Sequence, residues 1–434
     1  MNKWELKKVS EICELIVDCV NKTAPQVSYP TPYKMIRTPN IRDGKINLSD
    51  CRFVGAETYK KWTRRATVDE GDVLLTREAP MGEVGRVGFK DTVFLGQRIV
   101  QYRANPKELD SHFLLYSFRS AFLQAQFRKH DSSGSIVSHI PVPACTEFEI
   151  PTPPLHTQQK IASVLAALDA KIELNNRINA ELEGMAKLLY DYWFVQFDFP
   201  MSAAQATGLG KPHLTGHPYR ASGGKMIYNE TLKRDIPEGW TDGSLEKLGK
   251  IIGGSTPSTE VPEYFSTEGT TWITPKDLSD NIGNRFIQRG AMGVTEKGIK
   301  AASLKIMPVG TVLMSSRAPI GYLAVARNLV TTNQGFKSFV PENEFTTDYI
   351  YFTLKHFMKL IQANASGSTF KEISGGTLKA VKIHLPPDEL VRKFTEFSSS
   401  LSSQQSVLEQ QNQQLTQLRD WLLPMLMNGQ VTVN

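Results

Sequence analysis

Apolar residues recur at helical spacing through one long segment in the middle of the chain. From Ile161 to Ile172, and again from Ile178 to Leu189, they fall three or four positions apart. Gly184 is the one glycine or proline inside the run. Pro153 and Pro154 stand just ahead of it, where a helix can start. At 1.5 Å per residue the pattern predicts a rod of roughly 55 Å, which is long for a globular helix. A rod of that length usually lies between two other parts of a protein.

A second helical segment occupies residues 388–427, with apolar residues in alternating steps of four and three, the seam of a coiled coil. The predicted seam positions are Leu390, Phe394, Phe397, Leu401, Gln404, Leu408, Gln411, Leu415, Leu418 and Leu422. The first helix also turns polar in its middle, at Asn175 and Asn179. Because buried amides at seam positions commonly fix register, we predict an antiparallel pair in which these asparagines meet Gln404 and Gln411. The alternative is a solvent-exposed polar patch on each helix.

The sequence also contains an internal repeat. Five segments recur in the same order at an offset of about 233 to 239 residues. They are 4–25 with 240–257, 38–41 with 274–277, 71–82 with 310–321, 133–135 with 366–368, and 150–155 with 383–388. A period this long indicates a duplicated domain and not a solenoid.

Each half is predicted to be a mixed domain followed by a long helix. Short β-rich runs at 71–75, 84–89 and 99–102 are separated by turn residues, and helical patterns follow at 111–127 and 347–361. The fold class is therefore α/β (mixed α+β), duplicated, with two long helices forming an antiparallel coiled coil. The predicted boundaries are a first domain 1–152, a first helix 153–198, a connector 199–236 without a core of its own, a second domain 237–385, and a second helix 386–434.

Composition indicates a soluble, folded protein, with 40% hydrophobic and 22% charged residues. No stretch approaches the ~20 uncharged apolar residues of a membrane span, and the start lacks the apolar region of a signal peptide. We therefore expect a cytoplasmic protein. The four cysteines have no CxxC spacing, which favours small core residues over zinc ligands or disulfides.

Catalytic machinery is not evident in the sequence. Residues 223–225 (GGK) lack the upstream glycine and the following Ser or Thr of a phosphate-binding loop. No glycine-rich turn marks a dinucleotide or adenosylmethionine site, and the histidines form no HExxH pattern. We expect a protein without catalytic activity, with no cofactor or metal in this chain. A nuclease whose acidic residues stand in strands without a recognisable motif is the alternative.

Charge and polar loops favour nucleic-acid recognition. The net charge is +6, and nine basic residues stand against three acidic ones between Lys34 and Arg65. Arg, Lys, Asn and Gln side chains fit the hydrogen-bonding pattern of base edges. Candidates in the first domain are Arg37, Asn40, Arg42, Arg77, Gln97 and Arg98; those in the second are Lys276, Arg285, Arg289, Arg317, Asn333, Gln334 and Lys337. Ser133, Ser135, Ser368 and Lys371 stand in loops suited to phosphates. Ordinary solvated surface is the alternative for any single one of them.

The chain resembles the specificity (S) subunits of type I restriction-modification systems. The resemblance rests on the paired openings of the two helices, IPTPPL at 150–155 and IHLPPD at 383–388, and on their endings, MAKLLYDYWFV at 185–195 and WLLPMLMNG at 421–429. Segments 222–226 (SGGKM), 236–240 (IPEGW) and 253–257 (GGSTP) are also typical of the family. One departure is DELVRK at 388–393, where the family commonly has a Leu-x-Glu-Gln-like run.

The resemblance implies two target-recognition domains that bind a bipartite, asymmetric sequence in double-stranded DNA. It implies that the helices set the spacing and dock two modification (methyltransferase) subunits, which carry adenosylmethionine and methylate adenine. Restriction subunits would add translocation and cleavage with ATP and Mg. The helix endings supply the candidate docking residues Tyr190, Trp193, Phe194, Trp421, Leu422 and Met425. A coiled-coil scaffold without DNA binding remains as a further alternative.

Overall fold

The structure, a computed structural model, describes residues 4–131, 138–317, 319–342, 344–367 and 371–433. The chain divides into two compact units. Unit 1 is Met1–Glu173 with Gln413–Asn434, and unit 2 is Leu174–Asn412. Each unit therefore holds one repeated domain and part of both long helices.

Unit 1 is built on a four-stranded antiparallel sheet and a smaller three-stranded sheet. Its strands are β1 (Leu6–Lys8), β2 (Cys13–Asp18), β3 (Lys34–Ile36), β4 (Ile41–Arg42), β5 (Lys45–Ile46), β6 (Arg52–Phe53), β7 (Val73–Thr76), β8 (Val84–Arg86), β9 (Val93–Leu95), β10 (Ile99–Ala104) and β11 (Glu149–Pro151). Its helices are α1 (Val9–Ile12), α2 (Ala56–Trp62), α3 (Ser111–Arg119), α4 (Ala121–Arg128) and the first part of α5 (Leu155–Tyr190). The strand orders are β2-β10-β7-β8 and β6-β3-β9, with β3 and β9 parallel.

Unit 2 repeats this plan with additional strands. Its strands are β12 (Met226–Asn229), β13 (Arg234–Pro237), β14 (Thr241–Ser244), β15 (Gly249–Gly253), β16 (Phe265–Ser266), β17 (Thr270–Ile273), β18 (Phe286–Ile287), β19 (Met292–Val294), β20 (Val312–Met314), β21 (Leu323–Ala326), β22 (Val330–Thr332), β23 (Lys337–Pro341) and β24 (Lys382–Leu385). Its helices are α6 (Ala203–Gly208), α7 (Pro275–Asp280), α8 (Glu296–Ala301), α9 (Thr347–Ala363), α10 (Gly375–Ala380) and most of α11 (Asp388–Met427). The strand orders are β15-β23-β20-β21-β18 and β16-β19-β17-β22, with β17 and β22 parallel.

The duplication is visible in backbone hydrogen bonds at equivalent places. In unit 1 the amide of Arg77 donates to the carbonyl of Arg98 (2.8 Å). In unit 2 the amide of Ser316 donates to the carbonyl of Gly335, also at 2.8 Å. Strand orders and buried backbone bonds therefore repeat together. The predicted fold class, mixed domains duplicated and followed by long helices, is confirmed.

Within each unit the long helices pack antiparallel. In unit 1, Ile161 near the start of α5 shares a core with Leu426 near the end of α11. In unit 2, the rings of Tyr190 at the end of α5 and Phe394 near the start of α11 lie 6.0 Å apart. Early residues of one helix therefore meet late residues of the other. No helix among the described residues has the length and apolarity needed to cross a membrane.

The seam predicted for α11 is wrong by one position in its middle. Gln404 and Gln411 are exposed, whereas Gln405 and Asn412 are buried. Asn175 does bond to amides of α11: its Nδ2 donates to Oδ1 of Asn412 (2.9 Å) and, at a longer distance, to Oε1 of the predicted Gln411 (3.5 Å).

The cause is that the buried face of α11 in unit 2 is itself polar. It includes Val391, Phe394, Ser398, Ser402, Gln405, Glu409 and Asn412. The domain supplies hydrogen-bond partners, since Ser402 donates to Asp348 (2.9 Å) and Glu409 accepts from Arg327 (3.1 Å). Buried polar groups are tolerated when they are paired, and spacing alone does not reveal that pairing.

The connector 199–236 contributes its apolar side chains to the core of unit 2. Phe199, Met201 and Tyr219 are buried there, and the rings of Phe199 and Tyr219 stack at 4.7 Å. The segment thus needs no core of its own because unit 2 provides one.

Candidate nucleic-acid interface

In unit 1, the parallel strands β3 and β9 bring two loops together at one sheet edge. Arg37 follows β3, and Gln97 and Arg98 follow β9. The amide of Gly96 donates to the carbonyl of Ile36 (2.7 Å) and holds the two loops side by side. We call residues 37–40 and 96–98 edge site 1. The structure therefore assembles four of the predicted DNA-binding residues, Arg37, Asn40, Gln97 and Arg98, in one place.

Edge site 1 borders a cleft of about 330 Å³ with a basic lining. Lys22, Arg37, Arg52 and Arg98 all line it. Arg37 pairs with Asp50 (2.9 Å) and Arg98 with Glu78 (3.0 Å), and Asp50 is itself largely exposed. A concentration of cations in a cleft attracts the phosphates of a nucleic acid.

Unit 2 has the equivalent edge. Its parallel strands β17 and β22 are followed by residues 274–277 and 333–335, which we call edge site 2. The amide of Asn333 donates to the carbonyl of Ile273 (3.1 Å), as Gly96 does to Ile36. Gln334 and Lys276 are exposed here, and Lys276 pairs with Asp280 (2.9 Å).

The burial of Asn40 argues against the prediction that it contacts bases. It is buried, its Oδ1 accepts from the amide of Arg37 (2.8 Å), and its Nδ2 donates to the carbonyl of Asn47 (3.1 Å). Asp277 does the same for Thr274 in edge site 2 (2.7 Å). Both side chains shape the loop, so Asn40 leaves the set of residues proposed to contact DNA.

Burial also removes Arg77 and Arg285 from that set. Arg77 donates to the carbonyl of Ile140 (2.9 Å). Arg285 is only 2% exposed, pairs with Asp348 (2.5 Å), and has its guanidinium 4.4 Å from the ring centre of Tyr351. A guanidinium can be buried when carboxylates and aromatic faces replace its water, and the sequence does not show those partners.

The other predicted DNA-binding residues are distributed as follows. Arg42, Arg289 and Lys371 are exposed, and Arg317, Asn333 and Lys337 are half-buried. Arg42 donates to the carbonyl of Ile41 (2.8 Å). Ser133, Ser135 and Ser368 lie outside the described residues.

Sequence reasoning missed Lys22 and Arg52, and also the threonines Thr23 and Thr256. The repeated segments Ala24-Pro25 and Thr256-Pro257 could have indicated these residues, because the first lies in a loop at edge site 1 and the second in a loop at edge site 2. In unit 2 the loop runs so close that a Cβ on Gly254 would lie 2.0 Å from the carbonyl oxygen of Asn333. Glycine is required at that close approach.

Three of the predicted docking residues are wrong, because Tyr190, Trp193 and Phe194 are buried in the core of unit 2. The ring of Phe194 lies 5.3 Å from that of Phe394. Trp421 is 56% exposed in unit 1, which leaves it available to a partner. Leu422 and Met425 are half-buried.

A different face of α5 and the turn after it is exposed and apolar in unit 2. It consists of Leu174, Ile178, Met185, Leu188 and Tyr192. With Glu181, these positions follow alternating steps of four and three, the spacing of a coiled-coil seam. We call this face the outer stripe. Leu188, at 67% exposed, is its most open member.

Buried charges hold the domain of unit 2 on α11. Glu409 accepts from the amides of Arg285 (2.8 Å) and Phe286 (3.0 Å), and from the guanidinium of Arg327 (3.1 Å). Burial raises the pKa of Glu409, although those three donors oppose the shift. We call Glu409 with these donors the unit 2 clamp.

Unit 1 has its own clamp, centred on Asp169 of α5. Its carboxylate accepts from the hydroxyl of Tyr116 (2.7 Å) and pairs with Arg419 of α11 (2.8 Å) and Arg119 of α3 (3.4 Å). The domain and both helices are thereby tied together within unit 1.

Metal-binding clusters are not found in the part of the chain that the structure describes. No group of three or more His, Cys, Asp or Glu residues there could hold a metal ion. Burial lowers the pKa of His384 to about 4, and this ring lies 2.7 Å from the carbonyl of Phe194. Its Nε2 therefore serves as a structural hydrogen-bond donor.

Comparisons with known proteins point in one direction. A family model described as the type I restriction modification DNA specificity domain matches residues 1–184 and 237–417. The MjaIX type I restriction enzyme specificity subunit of Methanocaldococcus jannaschii is 40% identical over 191 residues, which is 42% of this chain and 44% of that protein. The HindI specificity subunit of Haemophilus influenzae is 27% identical over 338 residues, covering 69% and 73%.

Among solved structures, the type I restriction-modification S subunit from M. genitalium has the same fold. The TM-score is 0.57 at 16% identity, covering 98% of this chain and 96% of that one. The similarity to the first relative spans less than half of its length, whereas this structural match extends over nearly all of both chains.

Proposed function

Because the chain belongs to the family of type I restriction modification DNA specificity domains, we propose that it selects the DNA sequence on which a type I restriction-modification complex acts. One observation carries the proposal. The backbone bonds that build the sheet edge are the same in both units, whereas the side chains they present differ. A common scaffold with variable side chains is suited to two recognition sites of different specificity.

Each edge site binds one part of a bipartite target in double-stranded DNA. Edge site 1 presents arginines and Gln97, and edge site 2 presents amides, Lys276 and the nearby Thr256 hydroxyl. Different donors and acceptors select different bases. The target is accordingly asymmetric.

The chain itself is non-catalytic in this proposal. Adenosylmethionine binds to modification subunits that methylate adenine, and ATP and Mg bind to restriction subunits. This chain contributes binding and positioning. Its two clamps favour that role, since they fix each domain on the helices of its own unit.

The modification subunits dock on the outer stripe and on the exposed Trp421. An apolar stripe at coiled-coil spacing fits helices of a partner, because it offers rows of knobs to a facing helix. This surface replaces the buried Tyr190, Trp193 and Phe194, whose side chains have no free face.

The proposal is tested by co-expressing the full chain with its modification subunits and mapping methylated adenines across a genome. We expect the methylated adenines to fall within one bipartite sequence, and we expect no methylation when this chain is left out. The length of the gap between the two parts should increase when a heptad is inserted into both α5 and α11, while the two parts stay the same. Methylation that is independent of this chain would contradict the proposal.

A further inference from the structure

A threonine–glutamine hydrogen bond occurs at both edge sites. In unit 1 the hydroxyl of Thr23 donates to Oε1 of Gln97 (3.3 Å). In unit 2 the hydroxyl of Thr256 donates to Oε1 of Gln334. Each glutamine is thus held by a hydroxyl from a loop that crosses the sheet edge.

The two glutamines occupy the same structural position. Gln97 follows Gly96, whose amide bonds to the strand β3 carbonyl, and precedes Arg98, whose carbonyl accepts from Arg77. Gln334 likewise stands between a residue whose amide bonds to strand β17 and one whose carbonyl accepts from Ser316. Each glutamine is thus preceded by a residue that donates to a strand carbonyl and followed by a residue whose carbonyl accepts an amide. These bonds make Gln97 and Gln334 structurally equivalent without any sequence alignment.

The neighbours of the two glutamines differ. Gly96 and Arg98 flank Gln97, whereas Asn333 and Gly335 flank Gln334. The glutamine and its hydrogen bond from a threonine are therefore a common element among side chains that vary, although Thr256 corresponds in sequence to Ala24 and the two threonines stand one position apart. A common element in two recognition sites fits a base that both halves of the target share.

The threonine–glutamine hydrogen bond leaves donor and acceptor groups of the amide free to bind a base. A glutamine amide has an oxygen with two lone pairs and a nitrogen with two hydrogens. In the structure the threonine hydroxyl donates to Oε1 and so uses one of its lone pairs. One acceptor and the NH₂ donors remain, which matches the N6 donor and N7 acceptor of adenine in the major groove.

Resting on the proposed function, we propose that Gln97 and Gln334 each recognise an adenine, one in each half of the target. The surrounding residues of each edge site then set the other bases. Thr23 and Thr256 act as positioning residues, since their hydrogen bonds restrain the glutamine side chains.

The experiment uses the full chain with its modification subunits and selects bound duplexes from a pool with randomised bases. The wild type should select adenine at one position in each half. Gln334→Ala should reduce that discrimination by roughly 5- to 150-fold in one half alone. Gln334→Glu should change the preferred base from adenine to cytosine, because a carboxylate accepts from the cytosine amino group. Gln97→Glu should do the same in the other half.

Matched controls separate recognition from folding. Gln404→Ala removes an exposed glutamine of α11 that belongs to neither edge site and should leave every selected base unchanged. Thr256→Val should weaken the same position as Gln334→Ala, by a smaller factor. A wild type that selects no sequence would overturn the proposed function. A wild type that selects a bipartite sequence, with both halves unchanged in the two Gln→Glu variants, would overturn only the adenine assignment.

Discussion

Edge site 1 and edge site 2 share a backbone and differ in charge. Four cations line the cleft of edge site 1, and two of them, Arg37 and Arg98, are paired with carboxylates. Edge site 2 presents Asn333, Gln334 and a single lysine, which is paired with Asp280. The buried backbone bonds that create the edge take no part in this difference. The backbone scaffold and the side chains that we propose to select bases are therefore separate groups of atoms, so that one can change without the other.

The clamps of the two units differ in the helix that carries the central acid and in how far that acid is buried. In unit 1 the central acid, Asp169, belongs to α5 and retains 21% side-chain exposure. In unit 2 the central acid, Glu409, belongs to α11 and is almost fully buried. Both clamps tie a domain to helices, but the unit 2 clamp is set in a drier environment and depends more on complete pairing.

The largest effect expected is from Glu409→Ala. The substitution leaves the Arg327 guanidinium and two backbone amides without their acceptor, so unit 2 should lose about 3–5 kcal/mol in free energy of unfolding. Denaturant unfolding measures this loss. Asp169→Ala should cost less, about 1–2 kcal/mol, because solvent reaches its partners.

Glu396→Ala is the matched control, since Glu396 lies on the same helix and is exposed. Its effect should stay within about 0.5 kcal/mol. Equal losses from Glu409→Ala and Asp169→Ala would show that the two clamps do not differ in the way their burial indicates.

The next effect is a dependence of unit 2 on pH through His384. Burial lowers the pKa of His384 in the folded state to about 4, below its ordinary value of 6.5. As pH falls below 6.5, the unfolded chain gains this proton first, so stability declines between pH 6.5 and 4 and not further. The loss from this group should be about 3 kcal/mol.

The measurement compares wild type with His384→Gln at pH 7 and pH 4.5. The difference between the two proteins should shrink as pH falls, because the variant lacks the titrating ring. A difference that is the same at both pH values would contradict the assigned cause.

Docking should distinguish the two faces of α5. Leu188→Glu, on the outer stripe, should weaken binding of modification subunits at least tenfold, because a charge enters an apolar contact, while the melting temperature stays unchanged. Trp193→Ala should lower the melting temperature because it opens a cavity in the core. Titration of the subunits and thermal unfolding measure the two results, and loss of stability in Leu188→Glu would count against an exposed docking face.

The smallest effect concerns salt. Arg52→Gln in the cleft of edge site 1 should reduce the slope of log binding constant against log salt by about 0.9 if the arginine contacts one phosphate. Asn333→Ala at edge site 2 should leave that slope unchanged, because an amide releases no counterion. Binding titrations between about 50 and 200 mM salt distinguish the two variants. Equal slopes for both variants would remove the electrostatic contrast between the sites.

The fold could be predicted largely from periodicity and repetition, because apolar spacing and duplicated segments depend on local sequence. The seam of α11 was displaced by one position because Gln405 and Glu409 are polar and yet buried against partners from the domain. Residue type also suggested Arg285 for DNA, whereas Asp348 and Tyr351 hold it inside unit 2.

The edge sites were predictable only in part. Arg37, Gln97 and Arg98 could be chosen by residue type, but their meeting depends on the parallel pairing of β3 with β9. That pairing joins segments some 60 positions apart, and it also brings in Lys22 and Arg52. Contacts of this kind follow from tertiary structure, which spacing does not encode.

The most direct test of the central claim is to map the methylated sequence for two variants of the intact complex. Arg98→Gly gives edge site 1 the residue that follows the glutamine in edge site 2, which is Gly335. Asn333→Gly gives edge site 2 the residue that precedes the glutamine in edge site 1, which is Gly96. We predict that each variant alters the bases of one half of the target and leaves the other half as in wild type. Variants that change both halves together, or neither, would contradict recognition by two separate edge sites.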